Sequence, residues 1–227
     1  MDGVPITTIA TYRCGFPEKF GLPRQSGIVP SIKGQIVFMP EYSAREAFRG
    51  LEGFSHIWLI WQFSESANKK WHPTVRPPRL GGNMRKGVFA TRSPFRPSPI
   101  GLSCVKLERI EFINGTAVLY VLGGDLMDGT PILDIKPYLP ISDCRTEATG
   151  NLKNAPIGAL LDVEIPEHLL SLIPEADRDT VIAILAEDPR PAYVDDPARE
   201  FGFTYNSLEI KFRVDGKRLS VCNIGKR

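Results

Sequence analysis

Two runs rich in β-branched and aromatic residues, Ser103–Ile113 and Ala117–Leu122, flank Asn114-Gly115. Both residues of that pair tolerate the positive φ of a tight hairpin turn, so the chain is committed here to adjacent antiparallel strands. Shorter runs of the same kind recur at Thr7–Tyr12, Gly34–Met39, His56–Phe63, Val88–Thr91 and Ile132–Lys136. Few long helical stretches lie between them. Six or seven short strands left open would expose edges, and a closed sheet removes them. The pattern predicts an antiparallel barrel or sandwich, with closure favouring the barrel. Ser43-Ala44-Arg45-Glu46 reads as a capping box and predicts a short helix ending near Gly50 or Gly53.

The pattern changes after Ser142. Residues 143–156 are polar and read as a linker. Pro166-Glu167 opens a short helix; Pro174-Glu175 opens a longer one that Asp188-Pro189 closes. Leu208–Val214 and Leu219–Ile224 flank Asp215-Gly216, a second hairpin. The predicted organisation is mainly β: an antiparallel β-barrel domain over 1–142 and a small α+β domain over 143–227. A composition of 42% hydrophobic and 24% charged residues excludes a disordered or fibrous chain. The densest apolar stretch, His56–Phe63, is strand-sized, well short of the roughly 20 residues that span a bilayer. Met1-Asp2-Gly3-Val4-Pro5 lacks the basic-then-apolar build of a signal peptide. The four cysteines and three histidines are scattered. The expectation is a reduced, cytoplasmic setting with no membrane and no metal site.

Charge is unevenly spread. Ser66–Leu107 has no acidic residue but nine basic ones: Lys69, Lys70, Arg76, Arg79, Arg85, Lys86, Arg92, Arg96 and Lys106. Asp162–Glu209 carries twelve acidic residues against three arginines. Like charge in one segment repels itself, so the basic window meets either carboxylates elsewhere in the fold or an anionic partner. Composition does not choose between a phosphate-rich ligand and RNA.

Common cofactor and catalytic signatures are missing: GxGxxG after a strand, GxxxxGK[ST], GxSxG and HExxH. His56 reads as structural; Cys104 and Cys222 read as packed residues. Three stretches stand out. Gly87–Gly101 places three prolines and two arginines in a loop, and prolines pre-organise a loop for a ligand that arginines bind. Asp125–Tyr138 gathers carboxylates, a lysine and a phenol around one turn and one strand. Asp134 and Lys136, at i and i+2, share a strand face. Asp188-Pro189-Arg190-Pro191-Ala192-Tyr193 is a stiff acidic-basic-aromatic turn. Taken singly, each also reads as a turn, a salt bridge or a helix stop.

With Pro23-Arg24-Gln25 and Val75–Asn83, the first two stretches closely resemble the TrmO family, also called YaeB or TsaA-like proteins. The resemblance runs from Ile6 to Pro140 and extends through Asp188–Tyr193. One departure is visible: Ser98 stands where the family loop commonly has Asn. The resemblance implies an S-adenosylmethionine-dependent tRNA methyltransferase on a β-barrel, acting on N6-threonylcarbamoyladenosine at position 37. It implies a homodimer with the cofactor near the subunit interface. It also implies cofactor contacts from Pro23, Arg24, Gln25, Ser64, Glu65, Arg92 and Leu102, with Leu133, Asp134, Ile135 and Lys136 as the last wall.

The substrate N6 is a urea-like nitrogen of little basicity, and its proton must leave during or after attack. Asp134 or Asp128 is the candidate acceptor, with Lys136 and Tyr138 holding the carbamoyl group or the substrate carboxylate; the alternative is that positioning suffices. For RNA, the candidates are Arg76, Arg79, Arg85, Lys86 and Arg96 from the basic window, and Arg190 and Tyr193 from the small domain. Two rival readings remain: an RNA-binding barrel without turnover, and a methyltransferase of a small molecule.

Overall fold

The computed structural model describes residues 5–66, 70–76, 85–150, 160–191, 194 and 196–226. The strands in chain order are β1 (Ala10–Cys14), β2 (Lys33–Phe38), β3 (His56–Gln62), β4 (Thr74–Val75), β5 (Lys86–Gly87), β6 (Ile100–Ile113), β7 (Thr116–Leu122), β8 (Pro131–Pro137), β9 (Asp162–Glu164), β10 (Phe201–Tyr205), β11 (Leu208–Asp215) and β12 (Arg218–Lys226). Among the described residues, three α-helices, α1 (Pro140–Asp143), α2 (Glu167–Leu170) and α3 (Glu175–Ala186), lie in the second half of the chain.

Six strands close into an antiparallel barrel in the order β1-β2-β7-β6-β3-β8. Alternate residues of each strand point inward, which is the period-2 pattern read in the sequence. Tyr12, Ile36, Ile57, Leu59, Trp61, Val105, Leu119, Val121 and Ile132 fill the interior. Asn114 and Gly115 take φ of 50° and 83° and form the predicted hairpin between β6 and β7. β6 serves two partners: residues 100–106 pair with β3, and residues 106–113 with β7. On β8 a bulge inserts Leu133, because Ile60 pairs with Asp134 while Trp61 pairs with Ile132. The extra residue keeps Ile132 and Ile135 against the core and turns Asp134 and Lys136 outward.

Two local expectations are corrected. Val88–Ala90 is a 3₁₀ turn rather than a strand. Its main-chain oxygens are taken by side chains: Arg96 donates to the carbonyls of Val88 and Thr91, and Thr91 Oγ1 donates to Val88 as well. In place of the helix after Ser43 there are short 3₁₀ turns, Pro40–Tyr42, Arg45–Phe48 and Leu51–Gly53. Ser43 Oγ caps no helix because it donates to the Met39 carbonyl and accepts the Ala117 N–H of β7. Phe48 then packs edge-on against Phe38 and Phe112, extending the barrel core.

The second core lies between a four-stranded sheet, β10-β11-β12-β9, and the helices α2 and α3. The β11–β12 turn sits at Gly216-Lys217, one residue later than predicted. This core also buries Phe16, Val29 and Ile32 from the long β1–β2 loop. Gly21, at φ 86°, lies against the Phe203 ring, where an added Cβ would come within 2.5 Å. The loop is therefore tied to the barrel through its flanking strands and to the second core near both its ends.

A Cβ at Gly101 would meet the Trp61 ring at 2.3 Å, and that ring is held by Ser103 and Phe63. Gly101→Ala should lower stability by about 1–3 kcal/mol in urea unfolding, while Gly225→Ala, with open space around it, should leave the midpoint unchanged. Equal midpoints for the two variants would show that the Trp61 ring is free to move. Burial pushes the Cys14 thiol up to about 12, whereas Cys144 and Cys222 are exposed. At a pH of about 8, an aromatic disulfide reagent should modify Cys144 and Cys222 in the folded protein and leave Cys14 unreacted; equal rates for all three would contradict this packing.

Candidate active site

The outer face of β6-β3-β8 is unusual for the exterior of a barrel. Across the three strands, Leu102, Ile60 and Asp134 form one row, and Cys104, Trp58 and Lys136 the next. Leu102 is 55% exposed, and Ile100 beside it is also exposed. Lys136 Nζ lies 2.9 Å from Asp134 Oδ2, and Asp134 Oδ1 accepts the Ile135 N–H. Ile135 itself points to the core, and Leu133 sits at the bulge. An apolar strip bordered by an ion pair suits a ligand that is partly flat and apolar and partly charged.

Tyr138 continues β8 beyond Lys136, and its ring packs against His56 and Trp58. Burial, with the Cys144, Cys104 and Asp143 charges, raises its phenol above the usual range. Asp143 closes this side of the face: its carboxylate accepts the Leu139 N–H and Trp58 Nε1, each at 2.9 Å, and those bonds hold it below the usual carboxylate range.

The β1–β2 loop borders the face on the β6 side. Ser26 Oγ accepts the Cys104 N–H at 3.2 Å. Arg92, from the proline-rich loop, donates to Gln25 Oε1, and Gln25 Nε2 donates to the Arg24 carbonyl. Arg24 reaches the other way, donating to the carbonyls of Arg190 at 3.1 Å and Asp188 at 3.5 Å. Pro23 lines the same narrow cleft with Asp188 and Pro189. Ser64 and Glu65 form a 3₁₀ turn just after β3, and Glu65 pairs with Lys19 of the β1–β2 loop at 2.9 Å. The fold thus brings Gln25 and Arg92 into contact, and Leu102, Asp134 and Lys136 onto one face.

Asp128 stands apart from that face. Its carboxylate accepts the Cys14 N–H and pairs with Arg13, fastening the turn before β8 to the end of β1. Arg96 spends one guanidinium nitrogen on the carbonyls of Val88 and Thr91 and lies over the exposed Phe89 ring at 5.6 Å. The β4–β5 pair brings Arg76, Arg85 and Lys86 to one end of a small hairpin. Arg190 is only 11% exposed and grips Asp188 with two nitrogens at 2.8 and 3.0 Å. Arg79 and Tyr193 lie outside the described residues. Among the described residues, the basic window makes no ion pair with a carboxylate.

One half-buried carboxylate has no role assigned by the sequence. Asp125 accepts Ser103 Oγ at 2.5 Å, and Ser103 in turn accepts Trp61 Nε1 at 3.0 Å. Asp125 lies within the Asp125–Tyr138 motif, which was the available signal; its partners are distant in the chain.

The chain matches the family model of the tRNA-methyltransferase O N-terminal domain over residues 11–144. It matches that of the TrmO C-terminal domain over residues 159–227. It is 40% identical over 224 residues to the tRNA (adenine(37)-N6)-methyltransferase of Escherichia coli (strain K12), covering 94% of each chain. A Mus musculus protein of the same name is 45% identical over 130 residues, which cover 55% of this chain and 28% of that protein. The crystal structure of TrmO from Pseudomonas aeruginosa superposes with a TM-score of 0.77 at 30% identity, covering 99% of this chain and 100% of that one. Two family models and full-length relatives agree in chain order: the chain belongs to the tRNA-methyltransferase O family.

Proposed function

We propose that the chain is an S-adenosylmethionine-dependent tRNA methyltransferase acting on N6 of adenosine 37, with N6-threonylcarbamoyladenosine as the substrate nucleoside. The observation that carries the reading is the outer face of β6-β3-β8, which presents Leu102, Asp134 and Lys136 and is bordered at β6 by the loop that carries Ser26 and the Arg92-bound Gln25. Its donor set fits the cofactor: an arginine for a carboxylate, acidic side chains for a diol or an ammonium, and exposed leucine for a flat heterocycle. Gln25, Arg92, Leu102 and the Leu133–Lys136 segment would hold it, with Pro23, Arg24, Ser64 and Glu65 at its margin. When bound, S-adenosylmethionine supplies an already activated sulfonium methyl group.

The protein's task is then alignment and exclusion of water. Asp134 Oδ2, outward on β8 and paired with Lys136, accepts the N6 proton. Asp128 serves as a fastener of β1, since both its oxygens are already engaged there. Lys136 and Tyr138 face the carbamoyl side of the nucleoside. Arg76, Arg85, Lys86 and the Arg96–Phe89 pair, without carboxylate partners, meet RNA phosphates and an unstacked base.

A second copy of the chain completes the site. Ile141, at 93% exposure, and Leu139 follow β8 as exposed apolar residues that a two-fold partner would bury. Among the described residues no helix is long and apolar enough to cross a membrane, and the setting we assign is the cytoplasm.

Single-turnover transfer from labelled S-adenosylmethionine to tRNA with and without threonylcarbamoyladenosine tests the reading; label is expected only in the modified pool. Label in neither, with cofactor bound, would remove the substrate assignment. In the same assay Asp134→Asn should slow transfer by about 10²–10⁴-fold at saturating cofactor. A wild-type rate for that variant would leave positioning alone as the mechanism. Affinity for tRNA should fall steeply with salt; a flat dependence would favour a small-molecule substrate.

A further inference from the structure

The Ile100–Val105 half of β6 has β3 on one side only, because β7 joins β6 from Lys106 onward. Main-chain groups on the other edge need partners from elsewhere. Ser26 supplies one by accepting the Cys104 N–H. The neighbouring side chain, Ser103, is 1% exposed and points into the barrel, where it links Trp61 to the Asp125 carboxylate. Two residues before Asp125, the Gly123 carbonyl accepts the Gly27 N–H at 2.8 Å, so the Asp125 segment lies against the β1–β2 loop, and the carboxylate faces the charge of Arg92. Arg92 in turn holds Gln25. A single anion therefore joins the barrel interior, the β1–β2 loop and the arginine of the proline-rich loop.

We infer that Asp125 is a positioning residue for the cofactor site, holding Gln25, Ser26 and Arg92 in register with Leu102 and Asp134. The inference rests on the reading of that face as the cofactor site. A neutral amide in its place would keep an acceptor for Ser103 but lose the charge that faces Arg92. The loop would then lose its anchor while the barrel kept its strands.

Burial raises the Asp125 carboxyl above the usual range, and the Ser103 bond and the Arg92 charge offset this only in part. The other titratable group against it is Tyr12 of β1, whose hydroxyl lies beside Gly34 and Gly124. Burial pushes that phenol well above its ordinary value, so it stays neutral, and Cys14 and Tyr205 lie beyond it. As pH falls through the raised value, Asp125 takes up a proton, loses its charge toward Arg92, and the loop is released. Cofactor affinity should therefore be full above that pH and decline below it.

The test is calorimetric titration of S-adenosylmethionine into wild type, Asp125→Asn, Ser103→Ala and Arg92→Ala from neutral pH down to about pH 4, near the ordinary carboxyl value. Asp125→Asn should bind about ten-fold more weakly at neutral pH and lose the acid-side decline. Ser103→Ala, which deletes one hydroxyl and leaves the carboxylate, should move the decline to higher pH, because a bond that favours the ionised form is gone. It also serves if Asp125→Asn fails to fold. Weakened binding in Arg92→Ala, with wild-type affinity and pH profile in Asp125→Asn or an unmoved decline in Ser103→Ala, overturns the role of Asp125. Wild-type binding by Arg92→Ala overturns the cofactor-site reading itself.

Discussion

The β1–β2 loop is the constraint on which the rest of the molecule depends. It leaves the barrel at Cys14 and returns at Lys33, yet Phe16, Val29 and Ile32 are buried in the core of the other sheet. Burying side chains of this size contributes about 1.5–3 kcal/mol each, so the loop cannot lift from that core without a large loss. Between these anchors, Pro23–Ser26 is held at its tip by two further contacts. Arg24 bonds the carbonyls of the Asp188–Arg190 turn, and Ser26 bonds the free edge of β6. The second half of the chain is thereby a scaffold for a loop that belongs to the barrel.

The same economy governs the opposite wall. The bulge at Leu133 separates the inward and outward residues of β8, so Ile132 and Ile135 pack the core while Asp134 and Lys136 stand on the surface. Arg96 folds the proline-rich loop back on itself by capping its carbonyls, which fixes the neighbourhood of Arg92. Transfer of an activated methyl group asks for geometry above all, and both walls are held by packing and main-chain bonds.

Much of the barrel was legible in the sequence because one buried face and one wet face impose alternation, and because Asn114-Gly115 has few other uses. The failures were local rules overruled by distant partners. Ser43 has the spacing of a helix cap, but its hydroxyl is claimed by Ala117, 74 residues away. Val88–Thr91 has strand composition, but its carbonyls are claimed by Arg96. In the proposed site, the shared face of Asp134 and Lys136 follows from strand periodicity, whereas the tie from Ser26 to Cys104 spans 78 positions and leaves no local pattern. For Arg190 the sequence offers an RNA contact or a salt bridge within its turn, and in the fold its guanidinium closes on Asp188.

Hydrogen–deuterium exchange with and without saturating S-adenosylmethionine tests most directly whether the loop and the outer barrel face form one site. The account predicts slowed exchange in peptides covering 22–26, 90–104 and 132–138, with β10–β12 unchanged. Slowed exchange confined to the β10–β12 sheet, or to strands on the other side of the barrel, would contradict it.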